Sequence, residues 1–512
     1  MIMIINFGGQ TAHLIARRVR ELGVKSEIAP FDISVGEIRK LNPSGIILSG
    51  GPSSVYESGA PLPDRKILEL GIPVLGICYG LQLIAKFEGG KVLAGQMKEF
   101  GKKTLKVSNS GNLLKGLSKK EQVWMSHGDL VAEMPKEFAV LGSTDTCKIA
   151  AFENNAKKLY GIQFHAEVVH TPKGMHIFRN FVFGICQAKK NWNVKDLSEK
   201  LISGIKKEVG NDSVIMGVSG GVDSTVAATL LHKAIGDRLH CVFIDHGLIR
   251  KGEKEEVIEC FQKKLHFRHF HFVDASKKFL EKLKGVKDPE EKRKLIGHTF
   301  IEAFEEKAQE LEKKFPKIKF LGQGTIYPDR IESAQPSKEA SKIKSHHNLT
   351  LPEKMKLKVI EPLKEFYKDE VRMLGKNLGI PDAILGRHPF PGPGLAIRIL
   401  GEVTEERLRI LMEADYVFIQ TLKQFKQYDK VWQAFAALLP VKAVGVMGDA
   451  RTYDYIISLR AVTSVDGMTA DWAKLPNVLL EIISNRIINE VRGVNRVVYD
   501  ISQKPPGTIE YE

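Results

Sequence analysis

The pattern that most constrains the fold is a short apolar run that ends in a glycine-rich turn and leads directly into a helix-forming segment. The runs IMIINFG (2–8) and GIILSG (45–50) show it, and PVLGIC (73–78) continues the series. Such alternation predicts a parallel sheet with helices on both faces. A second series starts at VIMGV (214–218). We therefore predict an α/β chain with two doubly wound, mostly parallel-sheet domains.

Two segments interrupt this pattern. The polar stretch QAKKNWNVKDLSEK (187–200) separates the two α/β series, and the proline–glycine loop HPFPGPGLAIR (388–398) breaks any helix. The residues after that loop show a mixed α+β pattern. We predict three domains, with the smaller α+β domain last, at residues 1–189, 190–387 and 388–512.

Length and cysteine usage narrow the class of protein. The 512 residues fit two to four domains of ordinary size. The five cysteines are scattered without a CxxC pair, which favours a reducing cytoplasm over a disulfide framework or a cysteine-based zinc site. The chain starts with a strand-like pattern and has no apolar run of membrane length, so we expect a cytoplasmic protein with no membrane partner.

The net charge of +15 indicates either an anionic partner or only a lysine-rich, solvated surface. No aromatic-studded RNP strand, GXXG loop or basic recognition helix is present in the sequence. The charge alone leaves nucleic acid and phosphorylated small molecules open. The absence of RNA-binding motifs predicts no nucleic-acid partner.

The turn GICYG places Cys78 between a buried strand and a helix, with Gly76 and Gly80 on either side. This is the frame of a nucleophile elbow, in which glycines permit a strained turn and a close approach of helix to strand. The helix N-terminus favours a thiolate. The alternative is a buried structural cysteine. We predict that Cys78 is a nucleophile.

A thiolate nucleophile needs a base and a group that orients the base. The segment LYGIQFHAE (159–167) supplies His165 and Glu167, two residues apart, and alternation along an extended strand places both on the same side. The alternative is a structural histidine. The loop SGGP (49–52) and the N–H of Tyr79 can form an oxyanion hole, with Gly51 as the second donor.

The motifs GICYGLQ, SGGP and QFHAE resemble those of triad-type glutamine amidotransferases. The resemblance implies hydrolysis of glutamine to glutamate and ammonia, with Gln82 in the glutamine site. One residue departs from the family pattern: Ala166 stands where proline is usual. Proline fixes φ, so its absence loosens the link to Glu167 without removing a catalytic group.

The stretch VIMGVSGGVDSTVAATLL (214–231) is built to bind phosphate. Consecutive N–H groups of the SGGVDS turn (219–224) form an anion nest in front of a helix N-terminus. Asp223 alone would repel phosphate, so its expected role is to hold Mg²⁺ that bridges the phosphates. No GK[ST] follows, so the turn is not a Walker A loop.

This turn resembles the pyrophosphate loop of the ATP pyrophosphatases, which split ATP between the α and β phosphates and adenylate a substrate oxygen. The next strand, CVFIDHGL (241–248), would then lie near the adenosine. The resemblance implies an ATP site made of Ser219, Gly220, Gly221, Val222, Asp223, Ser224, Thr225 and Ile244.

The segment HFRHFHF (266–272) holds three closely spaced histidines. A metal cluster is one interpretation. The alternation of Phe and His favours the buried and exposed faces of a strand instead, since no cysteine or carboxylate ligand stands beside them in the sequence.

The remaining motifs resemble glutamine-hydrolysing GMP synthetases: KRKLIGHTF (292–300), GQGTIYPDRIES (322–333), HPFPGPGLAIR, MGDARTYDY (447–455) and KPPGTIEYE (504–512). The resemblance implies that ATP adenylates xanthosine 5′-monophosphate (XMP) and that ammonia displaces AMP to give GMP. It also implies a homodimer formed through the C-terminal domain. The XMP site would use Arg293, Asp449, Lys504 and Glu510, because Arg and Lys suit the phosphate and a carboxylate can accept N–H groups of the purine. In the tail KPPGTIEYE, Ile509 and Tyr511 alternate with Thr508 and Glu510, which predicts an extended, edge-strand-like segment.

Two other enzyme classes share parts of this pattern, and a basic protein with such a phosphate turn could also be an RNA-binding regulator. A tRNA-modifying enzyme that transfers sulfur needs a reactive cysteine near the phosphate loop, and none of the five cysteines lies beside SGGVDS in the sequence. An NAD synthetase shares the ammonia source and the phosphate loop, but the C-terminal KPPGTIEYE argues against it. The sequence therefore favours GMP formation.

Overall fold

The computed structural model describes residues 1–9, 11–334, 357–447, 450–464, 467 and 469–512. The chain forms two compact units, Met1–Asn193 and Val194–Glu512. We describe each unit by itself.

The first unit is built on one nine-stranded sheet in the order β2-β1-β3-β4-β9-β8-β7-β5-β6. The first five strands in this order run parallel, and the other four are added antiparallel. The parallel strands are buried, because helices cover a parallel sheet on both faces. The strands are β1 Ile2–Asn6, β2 Ser26–Pro30, β3 Gly45–Leu48, β4 Val74–Ile77, β5 Lys91–Val107, β6 Lys120–Glu133, β7 Ala139–Ser143, β8 Ala151–Asn154 and β9 Leu159–Ile162.

The helices of this unit follow the parallel strands, as the alternation in sequence predicts. They pack the sheet into a core that includes Ile5, Leu48 and Leu81. The α-helices are α1 Ala12–Glu21, α2 Val35–Leu41, α3 Tyr79–Phe87 and α4 Gly174–Arg179, with a 3₁₀ turn at Arg65–Glu69 and a π-helical turn at Asn180–Ile185.

The second unit contains two sheets. The first has five parallel strands in the order β12-β11-β10-β13-β14. The second joins β15, β16 and β17 antiparallel, with β18 parallel to β16. The strands are β10 Ser213–Gly217, β11 Leu239–Asp245, β12 Phe270–Asp274, β13 Ile318–Gly322, β14 Lys358–Ile360, β15 Gln433–Met447, β16 Ala450–Thr463, β17 Asp471–Trp472 and β18 Val494–Tyr499.

Ten α-helices belong to this unit as far as the structure describes it. They are α5 Val194–Val209, α6 Val222–Ile235, α7 Glu253–Glu259, α8 Ser276–Leu283, α9 Pro289–Lys314, α10 Tyr327–Ala334, α11 Lys368–Asn377, α12 Asp382–Leu385, α13 Glu405–Gln424 and α14 Asn477–Glu490. Shorter turns lie at Gly236–Arg238, Cys260–Lys264, Gly394–Arg398 and Tyr428–Lys430.

The predicted fold class is confirmed: two large, mostly parallel sheets precede a smaller region with antiparallel strands. One hydrophobic cluster contains Ile215 of β10, Leu411 of α13 and Ile457 of β16, so both sheets of the second unit share a core. The predicted domain boundaries at 189/190 and 387/388 stay predictions. Part of the polar stretch 187–200 that separates the two α/β series is helical, because α5 begins at Val194. No helix among the described residues is both long and apolar enough to span a lipid bilayer.

Candidate functional site

Cys78 lies at a sharp corner between β4 and α3. Its φ of 53° and ψ of −105° fall in a region that residues other than glycine rarely adopt and that occurs at functional sites. A Cβ on Gly76 would lie 2.4 Å from the backbone of Gly80, and a Cβ on Gly80 would lie 2.3 Å from the carbonyl oxygen of Leu48. Because both glycines are sterically required, the corner has the geometry of a nucleophile elbow.

The side chains of His165 and Glu167 are in contact. His165 Nδ1 lies 2.6 Å from Glu167 Oε1, and both residues are buried. The pairing was predicted from strand alternation, but β9 ends at Ile162 and the pair lies in the bend that follows. The Thr171 hydroxyl donates to the His165 carbonyl at 2.6 Å, and Arg18 Nε donates to the Glu167 carbonyl at 2.9 Å. These bonds, rather than strand geometry, fix the pair.

The pKa of His165 reflects this contact. Burial acts to lower it, but the Glu167 carboxylate and the interaction with Cys78 raise the pKa of His165 well above its ordinary value of 6.5. Glu167 Oε2 is buried without a hydrogen-bond partner among the described residues. An imidazolium held beside a thiolate is the arrangement that makes a cysteine nucleophilic at neutral pH.

The SGGP loop reaches this site through Gly50. A Cβ on Gly50 would lie 3.2 Å from His165 Cε1 and 3.7 Å from Cys78 Cβ. Gly51, the predicted oxyanion-hole donor, packs beside Tyr79, because a Cβ there would lie 3.4 Å from Tyr79 Cγ. Tyr79 is the first residue of α3, so its N–H is a donor that the helix itself does not use. The oxyanion-hole roles of Gly51 and Tyr79 stay predictions.

Sequence reasoning missed the polar groups that β6 and the segment after β9 place around Cys78. Cys78 Sγ lies 3.8 Å from the carbonyl oxygen of Ser126, and Gln163 Nε2 lies 3.6 Å from Sγ. Gln82, predicted to bind glutamine, is buried and donates to the Asp129 carbonyl at 2.9 Å. The available signal was SHGD (126–129), which interrupts an otherwise strand-like segment.

The SGGVDS turn connects β10 to α6. Gly220 has φ of 74°, and a Cβ there would lie 2.2 Å from Val257 Cγ2, so glycine is required. The Ser219 N–H donates to Ser224 Oγ at 3.2 Å, and the Gly221 N–H donates to Ser219 Oγ at 3.3 Å. These bonds close the turn in front of α6, whose N-terminus favours a bound anion.

Asp223 lies in the first turn of α6, and its two carboxylate oxygens differ. Oδ2 accepts a hydrogen bond from Lys368 Nζ at 2.5 Å, whereas Oδ1 is buried without a partner among the described residues. A buried, uncompensated carboxylate oxygen beside a phosphate loop suits a hard cation such as Mg²⁺. The residues present therefore fit the predicted ion.

The other predicted ATP residues shape the turn. The Thr225 hydroxyl donates to the Gly221 carbonyl at 2.8 Å, and Val222 is buried at the start of α6. Ile244 is 2% exposed at the carboxyl end of β11, within the core. Gly324 of the GQGT motif packs on the turn, since a Cβ there would lie 3.3 Å from the Ser224 nitrogen.

The predicted XMP-binding side chains have separate partners in the second unit. Arg293 Nη2 donates to the backbone oxygen of Glu512 at 2.5 Å. Lys504 Nζ donates to the Gly467 carbonyl at 2.8 Å. Asp449 lies outside the described residues. Arg293, which is predicted to bind the XMP phosphate, is thus hydrogen-bonded directly to Glu512.

Glu510, the predicted purine ligand, is held by residues that sequence reasoning missed. Arg398 donates to both of its oxygens, at 3.0 and 2.9 Å, and Gln433 Nε2 donates at 2.5 Å. Arg460 anchors the same tail by donating to the Thr508 carbonyl at 3.1 Å. The last residues were predicted to run like an edge strand, but after Lys504 they form turns and bends instead.

Comparison with known proteins covers the chain in three parts. Residues 3–185 match the family described as glutamine amidotransferase class-I, residues 194–293 match NAD synthase, and residues 420–511 match the GMP synthase C terminal domain.

Full-length relatives also match. Proteins named GMP synthase (glutamine-hydrolyzing) are 58% identical in Aquifex aeolicus, 56% in Carboxydothermus hydrogenoformans and 54% in Caldicellulosiruptor saccharolyticus. Each match covers 100% of this chain and 99% of the relative.

Proposed function

Because this chain belongs to the family of glutamine-hydrolysing GMP synthases, we propose that it makes GMP from XMP, with the two units dividing the chemistry. The enzyme is a ligase that converts XMP, ATP, glutamine and water into GMP, AMP, pyrophosphate and glutamate. The observation that carries this function is the match over the whole chain, since it includes both the amidotransferase part and the C-terminal part. The NAD synthase match is limited to residues 194–293 and does not favour a second function.

Glutamine hydrolysis is assigned to Cys78, His165 and Glu167. The Cys78 thiolate attacks the amide carbon of glutamine, and the His165 imidazolium gives its proton to the leaving nitrogen, which releases ammonia. Water, deprotonated by His165, then cleaves the thioester to glutamate. The 2.6 Å contact with Glu167 holds the imidazole in the orientation that both proton transfers need.

XMP activation is assigned to the SGGVDS turn. The oxygen on carbon 2 of XMP attacks the α-phosphorus of ATP and pyrophosphate leaves; ammonia then attacks carbon 2 and AMP leaves. The N-terminus of α6 and the turn's N–H groups other than those of Ser219 and Gly221 stabilise the charge that develops on pyrophosphate. Asp223 would hold Mg²⁺, which supplies further charge neutralisation at the phosphates when bound. Lys368, paired with Asp223, adds a positive charge at the same place.

The XMP site is assigned to Arg293, Lys504, Glu510 and Asp449. Arg and Lys suit the phosphate, and a carboxylate accepts N–H groups of the purine. The paired donors of Arg398 fix the Glu510 carboxylate. Because the tail is anchored in this way, it can cover the nucleotide and limit the access of water to the adenylated intermediate.

We also assign a cytoplasmic location and a homodimer formed through the C-terminal region. All five cysteines are free thiols, which fits a reducing compartment. The β15–β16 hairpin exposes Val441, Val444, Val446 and Tyr453, with Val446 74% exposed. Adjacent apolar residues at a surface favour association. Sedimentation of wild type and Val446→Glu tests this: a dimer that the substitution weakens is expected, and a wild-type monomer contradicts it.

The experiment that tests the function measures AMP and GMP formed from XMP, ATP and Mg²⁺, with glutamine or ammonium as nitrogen donor. We expect GMP with both donors and equal amounts of AMP. Formation of AMP without GMP, or no requirement for XMP, would contradict the proposed function.

A further inference from the structure

Three histidines of the second unit come together at one end of the five-stranded sheet, opposite the end that carries the SGGVDS turn. His240 is the second residue of β11, His271 lies in β12, and His269 immediately precedes β12. The two strands are parallel, and the Cys241 N–H donates to the His269 carbonyl at 2.9 Å. The cluster therefore lies near the amino end of β11, whereas residues 219–224 follow the carboxyl end of β10.

The ring nitrogens are close enough to share one ion. One nitrogen from each of the three rings can be chosen so that all lie within 4.8 Å of one another. His240 Nδ1 and His271 Nε2 are 3.3 Å apart, which matches the separation of about 3.3 Å between two nitrogens of a tetrahedral zinc site. The sequence predicts only alternating strand faces for HFRHFHF, because His240 comes from a different strand.

Among the described residues of the second unit, these nitrogens are hydrogen-bonded to no group outside the cluster, and an ion would replace the hydrogen bond between His240 and His271. His240 is buried, and His269 and His271 are half-buried. Phe315 packs against the rings of His240 and His269, with centroid distances of 4.4 Å and 5.5 Å. As far as the structure describes the second unit, the His240–His271 contact is the one hydrogen bond that the three rings make. The remaining nitrogens are not committed to protein groups.

We propose that His240, His269 and His271 bind a divalent transition-metal ion, with Zn²⁺ as the best match. Imidazole nitrogens suit Zn²⁺ and other late first-row ions, and they are poor ligands for Mg²⁺ and Ca²⁺. The rings are within 18° of parallel. Because a ligand lone pair lies in the ring plane, His269 has to rotate to point a nitrogen at an ion shared with the other two.

The fourth ligand is water or the carboxylate of Glu310 on α9. Glu310 lies close enough to His271 for electrostatic interaction, as do Lys307 and Lys314. Lys307 Nζ holds Glu310 at 2.8 Å. Recruiting the carboxylate therefore means breaking that ion pair, so a site completed by water is the simpler form.

A second group of potential ligands, Glu99, His127 and Cys147 in the first unit, does not qualify. Both ring nitrogens of His127 are in use, at 2.9 Å from the Asp129 carbonyl oxygen and 2.9 Å from Glu99 Oε2. Burial raises the pKa of the Cys147 thiol to about 12, so a metal ion binding there would also have to displace a tightly held proton.

A bound ion would connect β12, the edge strand of the five-stranded sheet, to β11. Edge strands have one unpaired side and are easily loosened, so a link at this point stabilises the sheet. The link is at the opposite end from the SGGVDS turn. We therefore expect an effect on thermal stability of the second unit rather than on the chemistry of GMP formation.

The test measures Zn²⁺ affinity by competition with a chromophoric chelator in wild type, His269→Gln and His271→Gln. His266→Asn is the matched control, because His266 is exposed in the same segment, and its φ of 55° is one that asparagine tolerates. All five thiols are buried, so exposed cysteines do not compete for Zn²⁺ in this assay. We expect one Zn²⁺ per wild-type chain, unchanged in the control and weakened by at least about 100-fold in the two variants.

Two further measurements separate this site from adventitious binding. Zn²⁺ should raise the unfolding temperature of wild type and of His266→Asn but of neither ligand variant. Co²⁺ should give the visible bands of a tetrahedral nitrogen and oxygen site without a sulfur-to-metal charge-transfer band. Equal Zn²⁺ affinity in all four folded proteins, no Zn²⁺ binding by wild type, or a cobalt–thiolate band would overturn the proposal.

Discussion

Replacing Glu167 with Gln tests whether its charge activates the thiol through His165. The substitution keeps an oxygen at Oε1, where His165 Nδ1 lies at 2.6 Å, and removes only the charge. Glu167 Oε2 is already buried without a partner among the described residues. An amide nitrogen at that position replaces one unsatisfied buried atom with another. A buried polar atom without a hydrogen bond destabilises the folded state by about 1–3 kcal/mol. The free energy of unfolding should therefore fall by less than about 3 kcal/mol.

In free-energy terms, Glu167→Gln should impair glutamine hydrolysis more than it lowers the stability of the folded protein. The Glu167 carboxylate acts against burial to raise the pKa of His165, and each pKa unit corresponds to about 1.4 kcal/mol. Proton transfer by a positioned side chain contributes about 10²–10⁴-fold to a rate. We expect kcat/KM for glutamine to fall within that range, which is about 2.7–5.5 kcal/mol in activation free energy.

The same substitution has a signature in the pH dependence of stability. The folded-state pKa of His165 lies above its unfolded value of 6.5. The imidazolium therefore stabilises the folded state, and this stabilisation has its full size below pH 6.5. The contribution is lost as the pH rises through the folded-state pKa. Wild type and Glu167→Gln should therefore differ most in unfolding midpoint near pH 6 and less at alkaline pH.

The assay compares glutamate release with GMP formation from ammonium in the same preparation. Activity with ammonium serves as the internal control, because the SGGVDS turn belongs to the other compact unit. The reasoning is refuted by a folded Glu167→Gln protein with less than a tenfold loss of glutaminase activity. An equal loss with both nitrogen donors also refutes it.

Four other substitutions or deletions follow from the proposed sites. Cys78→Ala should abolish GMP formation from glutamine and leave synthesis from ammonium near wild type; loss of both in a folded protein contradicts a separate ammonia source. Asp223→Asn should lower AMP formation by about 10²-fold or more with either donor, whereas unchanged pyrophosphate release at saturating Mg²⁺ removes its assigned role. Ala166→Pro should retain or modestly raise glutaminase activity, because proline stiffens the link to Glu167; a large loss in a stable protein would put that link in doubt. Deleting residues 504–512 should abolish synthesis with both donors and weaken XMP binding in calorimetry while ATP still binds; undiminished XMP affinity excludes the tail from the site.

The features that the sequence predicted correctly are those with a local physical cause. A buried strand that ends in glycines and runs into a helix specifies its own corner, and both Cys78 and the SGGVDS turn (219–224) connect a strand to a helix as predicted. The alternation of such units also predicted parallel sheets in both series. These signals need only a few neighbouring residues.

The features that were missed depend on contacts between residues far apart in the chain. Lys368 reaches Asp223 across 145 positions, and Arg398 reaches Glu510 across 112. No local pattern distinguishes such a lysine or arginine from a surface charge. The bend that joins His165 to Glu167 was predicted as a strand for the same reason, because the bonds that fix it come from other segments.

The two proposed reaction centres use the same kind of corner for different purposes. Each follows a buried parallel strand and opens a helix, and each contains a residue of positive φ: Gly220 at 74° and Cys78 at 53°. At the phosphate turn, backbone N–H groups bind the ligand, so glycine provides the conformation without a side chain. At the thiol turn the side chain itself reacts, so a non-glycine residue must adopt a conformation that costs about 1–3 kcal/mol. Gly76 and Gly80 make this possible, because they remove the clashes that a Cβ would create on either side. Strain at Cys78 is thus the structural condition for presenting sulfur at a helix N-terminus, and its absence from the phosphate turn follows from the different atoms that bind there.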